Sequence, residues 1–315
     1  MASSFARWPL ISDADPRPRS SYLTLDRALA AGMANVSEVS AQGQVPELLF
    51  FNDAGLPVIL LDGEELVGAK QNRIVNLTIL APAKQSIRIP VSCVEQGRWR
   101  PSAVQGMASA PRTLFARARA AKAEQVTTSL RCDSTAHSDQ GTIWEHIRRK
   151  SASLGTSSET SAMSDVFEAH EEQLADYLKA FEVVPGAVGA LFGVGDQVGL
   201  EVFDSSETFM ALFSKVLRGY ALDAIEVQKE AAVASETLTA LLDRVRKSSC
   251  REYPGVGLGR SVRFSGEVSG GALVYDGRVL HLAAFAKLPG ARGGEAPSGS
   301  GAEAPLPAGH VPPAR

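Results

Sequence analysis

Cysteine is scarce: the 315 residues hold three, Cys93, Cys132 and Cys250, far apart and without a CxxC pair. An odd, scattered set argues against a disulfide framework and a structural zinc site, and it fits a reducing, cytoplasmic location. Long apolar runs are missing too. No window reaches the ~18 apolar residues of a membrane span, and "MASSFARWPLISDADPRPRS" lacks an apolar core followed by a small-residue cleavage site, so neither a span nor an export signal is expected. Charge of one sign is also lacking. With 32 Lys and Arg against 35 Asp and Glu, net −3, the chain has no basic footprint for nucleic acid. Arg112, Arg117, Arg119 and Lys122 do cluster, but at helical spacing they read as a solvated face. Absent as well are the GxxxxGK[ST] phosphate loop, the GxSxG elbow, HExxH and any His/Asp/Glu group with metal-ligand spacing, so no metal is expected and no cofactor is indicated. "GVGLGR" at 255–260 follows a helix and precedes a strand, the wrong order for seating a phosphate on a helix N-terminus, and reads as a loop.

Strand and helix patterns are plentiful. Apolar runs flank Asp-Ala-Gly, Gly-Asp or Asp-Gly in the segments 47–66, 186–204 and 270–285, which predicts three β-hairpins. "NRIVNLTILAP" and "QSIRIPVSCVEQ" add strands broken at Pro82 and Pro90. Apolar stripes through Phe167, Leu174, Leu178 and Phe181, and through Phe209, Leu212, Phe213, Val216, Leu217 and Tyr220, predict two helices, the second capped by Asp204 with Glu207 in its first turn. Further helices are expected over 112–131, 139–153 and 229–247. Hairpins in blocks separated by helical blocks define an α+β class: antiparallel β-hairpins and sheet blocks packed with several amphipathic helices. The predicted organisation is an N-terminal tail, partly disordered, over 1–20 and a single domain over 21–287. That domain has a β-rich part at 45–100, a helical middle at 111–181 and a hairpin and helix part at 186–287. From 288 a Pro/Gly/Ala-rich tail follows that cannot offset the entropy of ordering.

Two polar interruptions carry the candidate chemistry. In "LDGEELVGAKQNRIVN", Glu64 and Glu65 close one apolar run while Lys70, Gln71, Asn72 and Arg73 open the next. Such a mixture can hold a phosphorylated or polyhydroxylated ligand, since carboxylates accept from hydroxyls and cations meet phosphate. It also describes a hairpin end dressed for solubility. In "IPVSCVEQGRW", alternation puts Cys93 and Glu95 on one strand face, with Arg98 and Trp99 beyond Gly97. Glu95 can act as acid or base and Trp99 as a stacking platform; equally, Cys93 is a small buried apolar group and Glu95 pairs with Arg98 to hold the fold. His281 falls on a mostly apolar face, where a satisfied core residue is the simpler reading than a dyad with Cys93. Asp139 opens "DQGTIW" as a helix cap.

The stretches "EELVGAKQNRIVN", "IPVSCVEQGRW", "SDQGTIWEHI" and "LEVFDSSETFMALFSKVLRGYALDA", in that order and spanning about 20–286, resemble the bacterial ADP-ribosylglycohydrolase and rhodanese-phosphatase superfamily-associated domain family. The residues matching its motifs are Glu65, Gly68, Lys70, Gln71, Asn72 and Arg73, then Cys93, Glu95, Gly97, Arg98 and Trp99, then Gln140, Gly141 and Trp144. The resemblance implies work with ADP-ribose or a related phosphorylated nucleotide, in NAD metabolism or defence. The expectation that follows is a small-molecule nucleotide-type ligand met by Lys70, Gln71, Asn72, Arg73, Arg98 and Trp99, with Glu65 and Glu95 as the acid and base if the chain is an enzyme. The alternative is a non-enzymatic interaction or scaffold protein whose polar motifs are structural.

Overall fold

A computed structural model describes residues 5–11, 21–40, 43, 45–100, 106–227 and 233–287. In chain order the first elements are β1 (Phe5–Ile11), β2 (Leu23–Thr24), α1 (Leu25–Ala30), β3 (Ala34–Glu38), β4 (Glu47–Asn52), β5 (Val58–Leu60), β6 (Glu64–Gly68), β7 (Arg73–Val75), β8 (Ile79–Ala81), β9 (Gln85–Cys93) and β10 (Met107–Thr113). Helices α2 (Ala116–Asp133), α3 (Gln140–Ser153), α4 (Met163–Ala169) and α5 (Glu171–Ala180) follow. The rest comprises β11 (Ala187–Val194), β12 (Gln197–Phe203), α6 (Ser206–Glu226), α7 (Ser235–Lys247), β13 (Ser249–Pro254), β14 (Arg260–Ser265), β15 (Ser269–Tyr275) and β16 (Arg278–Lys287). The class is α+β. A seven-stranded sheet runs β1-β11-β12-β16-β15-β14-β13, a six-stranded one β10-β6-β7-β9-β4-β3, and a small one β2-β5-β8.

The central strands are apolar almost throughout because both faces of their sheet are covered. Along β11, Ala190, Phe192 and Val194 join the core beneath α6, while Leu191 joins the one containing Leu238 and Leu241 of α7. The α6 stripe is buried as its spacing predicts, from Phe209 through Val216 to Tyr220. Its cap is Ser205, whose hydroxyl accepts from the Thr208 amide at 3.1 Å, and not Asp204, which instead accepts from the Tyr22 hydroxyl.

Hairpins form at β11–β12 and β15–β16 but not at 47–66. There β4 pairs with β3 and β9, while β5 runs parallel to β2 and antiparallel to β8. Asn52 ends β4 by donating to the Leu56 and Pro82 carbonyls at 3.0 and 2.9 Å and accepting from the Ala54 amide at 2.9 Å, which turns the chain out of its sheet. The segment expected as one helix over Phe167–Phe181 is two, α4 and α5, meeting at His170. Part of the expected N-terminal tail is a strand: β1 pairs with β11 and buries Phe5 against Tyr177, Phe181 and Phe192. The expected C-terminal tail from 288 lies outside the described residues.

The basic cluster is not a solvated face. Arg119 and Lys122 are fully buried on α2 and Arg112 is 7% exposed on β10; of the four, only Arg117 keeps substantial exposure. Arg119, Lys122, Ala123, Val126 and Leu130 form one stripe of α2, so the cations lie on the helix's inner face. They are tolerated there because each finds acids or carbonyls. Lys122 pairs with Asp62 and donates to the Val75 and Asn76 carbonyls at 3.1 and 2.8 Å; Arg119 reaches Glu201 at 2.6 Å and Asp62 at 3.3 Å.

Candidate functional site

The two polar motifs meet because β7 lies between β6 and β9: Glu65 pairs with Ile74, and Arg73 with Cys93. The β6–β7 turn needs unusual backbone, and it gets it from Gly68 at φ +129 and Ala69 at φ 44. Asn72 locks that turn by accepting from the Gly68 amide at 3.1 Å. Beyond β9 the chain closes against the segment 158–163, where Gly97 donates to the Thr160 carbonyl at 2.7 Å and Met163 to the Val94 carbonyl at 2.8 Å. A side chain at Gly97 would come within 2.8 Å of the Thr160 backbone, so this approach needs glycine.

Glu95 is the hub. Its carboxylate accepts from Arg98 Nε at 2.8 Å and Nη2 at 2.6 Å, from the Asn72 amide at 3.0 Å and from the Thr160 hydroxyl at 3.1 Å. Burial works to raise its pKa, but the Arg98 and Asn72 hydrogen bonds outweigh this and hold it below the usual carboxylate value. Arg98 also donates to the Ala69 carbonyl at 2.8 Å and Asn72 Oδ1 at 3.0 Å, and Gln71 bridges the Glu95 carbonyl and Arg73 Nη1, both at 3.0 Å. Cys93 is buried, its thiol on the Glu95 carbonyl at 3.3 Å and its pKa pushed up by burial. Gln140 clamps the end of β9 from α3, accepting from the Cys93 amide at 2.8 Å and donating to its carbonyl at 2.7 Å. The helix-start motif thus does more than cap: Asp139 caps α3 while the next residue reads the strand.

Glu65 stands apart from this hub. It is fully buried, pairs with Arg112, and leaves Oε1 without a hydrogen bond among the described residues; burial, against the Arg112 charge, raises its pKa. His281 is nowhere joined to Cys93: it bonds Glu201 and Thr78.

An open face remains beside the hub. Trp99 is 47% exposed, with Lys70 Nζ 5.3 Å and Arg73 Cζ 5.6 Å from its ring centroid. Arg73 donates through Nε to the Val45 carbonyl at 3.2 Å and through Nη1 to Gln71, whereas its buried Nη2 has no partner among the described residues. Glu38, whose charge acts on Arg73, accepts from the Lys70 amide at 3.2 Å through Oε1 and likewise leaves Oε2 without a partner. Arg73 is among the residues the sequence singles out, whereas Glu38 is not, since it comes from β3, far from both motifs. Among the described residues no group of three or more His, Cys, Asp or Glu is placed to hold a metal, and no helix is long and apolar enough to cross a membrane.

Fold and site together define an α+β protein with a polar knot joining two strand ends beside a cation-flanked indole. The chain belongs to the ARG and rhodanese-phosphatase-superfamily-associated protein domain family, whose pattern it matches over residues 6–285. Neither the curated proteins nor the solved structures contain a match to it.

Proposed function

We propose that this protein binds a phosphorylated nucleotide-type ligand, ADP-ribose or a close relative, on the face formed by Trp99, Lys70, Arg73 and Glu38. The observation that carries this reading is the orphaned Arg73 Nη2 beside a half-exposed indole, because a buried guanidinium donor without an acceptor is costly and a phosphate oxygen would satisfy it. Lys70 adds charge, Glu38 Oε2 accepts from a ribose hydroxyl, and Trp99 offers a π-face to the base. Gln71, Asn72 and Arg98 shape the turn that presents these groups. The family's association with ADP-ribosylglycohydrolases supports the choice of ligand. Glu65 and Glu95 enter as supports, because each spends its carboxylate on an arginine.

Titration calorimetry with ADP-ribose, NAD and AMP tests the reading. Trp99→Ala should weaken binding about tenfold, in line with ~1–3 kcal/mol for a base stacked on an aromatic ring, with an unchanged Tm. No heat from any of the three at millimolar concentration would overturn it. A second reading, an interaction protein whose polar motifs are purely structural, is favoured by the way Gln71, Asn72, Glu95 and Arg98 satisfy one another. That reading stands if Trp99→Ala changes nothing.

A further inference from the structure

Helix α3 ends where the chain doubles back on it. Gly155, at φ +66, donates to the Ala152 carbonyl at 3.2 Å and Thr156 to the Ser151 carbonyl at 2.9 Å, a paired closure of the last turn that sends the chain back beside the helix. The far end of the returning segment is fastened too: Ala162 bridges Glu95, and Met163 donates to the Val94 carbonyl at 2.8 Å. Between these two fastenings the facing residues are small, Ser151 and Ala152 on the helix and Ser158, Ser161 and Ala162 opposite. Such side chains cannot fill the gap at the density of a protein interior, and a cavity of about 230 Å³, open to solvent, remains.

The chemistry of this cavity is layered. Ile147 and Ala162, each 2% exposed, make an apolar floor. Hydroxyls form the wall. Ser151 donates to the Thr156 carbonyl at 2.7 Å and Ser158 accepts from the Ala162 amide at 2.9 Å, so both oxygens keep acceptor capacity. Thr156 Oγ1 is buried with no partner among the described residues, and Ser161 stands at φ +52, a conformation that costs a residue other than glycine and that clusters at ligand clamps. At the rim Arg148 is 68% exposed and pairs with Glu145, which Arg149 also holds at 2.5 Å, so Arg148 can turn to an anion without stranding the acid. Among the described residues no carboxylate lines the cavity. The Ser151 and Ala152 carbonyls are taken by the Thr156 and Gly155 amides, which mutes the negative end of the helix.

We propose that this cavity binds a small sugar phosphate of pentose size. The C–H face of the ring rests on Ile147 and Ala162, its hydroxyls meet Ser151, Thr156, Ser158 and Ser161, and its phosphate stays at the mouth on Arg148. The size agrees: a cavity of roughly 150 Å³ admits benzene, and 230 Å³ takes a five-membered ring with its hydroxyls while the phosphate remains at the rim. A hydroxylated occupant gives Thr156 Oγ1 the partner it lacks, and the guanidinium meets the phosphate through charge-assisted hydrogen bonds. The site shares no residue with the Trp99 face and is independent of it.

Titration calorimetry on the full chain with ribose 5-phosphate, ribose and inorganic phosphate tests this. Ribose 5-phosphate should bind about tenfold more tightly than either part alone. Ala152→Leu fills the cavity from an exposed helical position where leucine is nearly as favourable as alanine, and should abolish binding with an unchanged Tm. Arg148→Gln should weaken ribose 5-phosphate about tenfold, and Trp99→Ala should leave it unchanged. Binding lost in Trp99→Ala but kept in Ala152→Leu would assign the ligand to the other face and overturn the proposal. So would the absence of heat from ribose 5-phosphate at millimolar concentration, or inorganic phosphate that binds as tightly as the sugar phosphate. If Ala152→Leu lowers Tm, the exposed Arg148→Gln read beside Trp99→Ala decides.

Discussion

Arg98 spends its guanidinium inside the protein, on Glu95, Asn72 and backbone carbonyls, and the Glu95 carboxylate is almost as fully engaged. Truncating one partner of such a pair leaves the other charged and buried. Glu95→Ala should therefore lose ~3 kcal/mol in urea unfolding; a loss too small to measure would show the knot to be ornamental. The sign of the pH effect follows from the direction of the shift. Glu95 in the folded state lies below its ordinary value of 4.5, so its contribution is fully present above 4.5 and is lost as pH falls through the folded value. Glu65 has the opposite sign: its folded value lies above 4.5, so the stability contributed by its neutral form is present below 4.5 and is lost as pH rises past the folded value. Glu95→Gln should flatten the acid limb of a stability–pH curve, and curves that superimpose on the parent's would contradict this. At this scale the sequence was informative about kind and ambiguous about use. Glu95, three residues before Arg98, reads from the sequence as an ion pair or an acid; the ion pair is formed, and the further contact from Thr160 is one that no local spacing reveals.

The elements show why charge is a poor guide to exposure. On α2 the inner stripe holds Arg119 and Lys122, and the residues that make this possible lie on β12 and in the loop after β5. Neighbouring strands repeat the device: Glu65 of β6 and Arg112 of β10 are buried together, with the guanidinium 5.4 Å from the Phe167 ring centroid. For such a pair the cost of desolvation largely offsets the attraction, whereas removing one partner strands the other charge in the interior. Glu65→Leu and Arg112→Met should each destabilise by about 3 kcal/mol, while the double variant should cost less than either alone. Additive losses in thermal unfolding would show that the two side chains are uncoupled. Strand β1 makes the converse point, since its spacing is unremarkable and its position is set by β11: deleting residues 1–11 exposes the β11 edge and removes Phe5 from its aromatic cluster. A marked drop in Tm is expected, and an unchanged Tm would show the strand dispensable.

For the whole molecule, Asp62, Glu95, Glu201 and Glu226 all sit below their ordinary values, each against the pull of burial, because Lys122, Arg98, Arg119 and Lys150 respectively face them. Asp139 and Glu171 are lowered as well, by hydrogen bonds from Thr142 and Arg218, and Glu65 alone of the shifted acids is raised, so stability should fall as pH drops below about 4.5. A thermal midpoint that rises on acidification would contradict that balance. Reductant should leave the midpoint unchanged, since Cys93, Cys132 and Cys250 are all free. The α+β class, the hairpins β11–β12 and β15–β16 and the α6 stripe were determined by sequence alone, because periodicity of apolar side chains and turn chemistry are local properties. Tertiary structure decided the rest. It parted β4 from β5, turned a basic helix face inward, bound the two polar motifs into one knot, and set Thr78, Glu201 and His281 in line, because which charges can be buried depends on partners that lie far away along the chain.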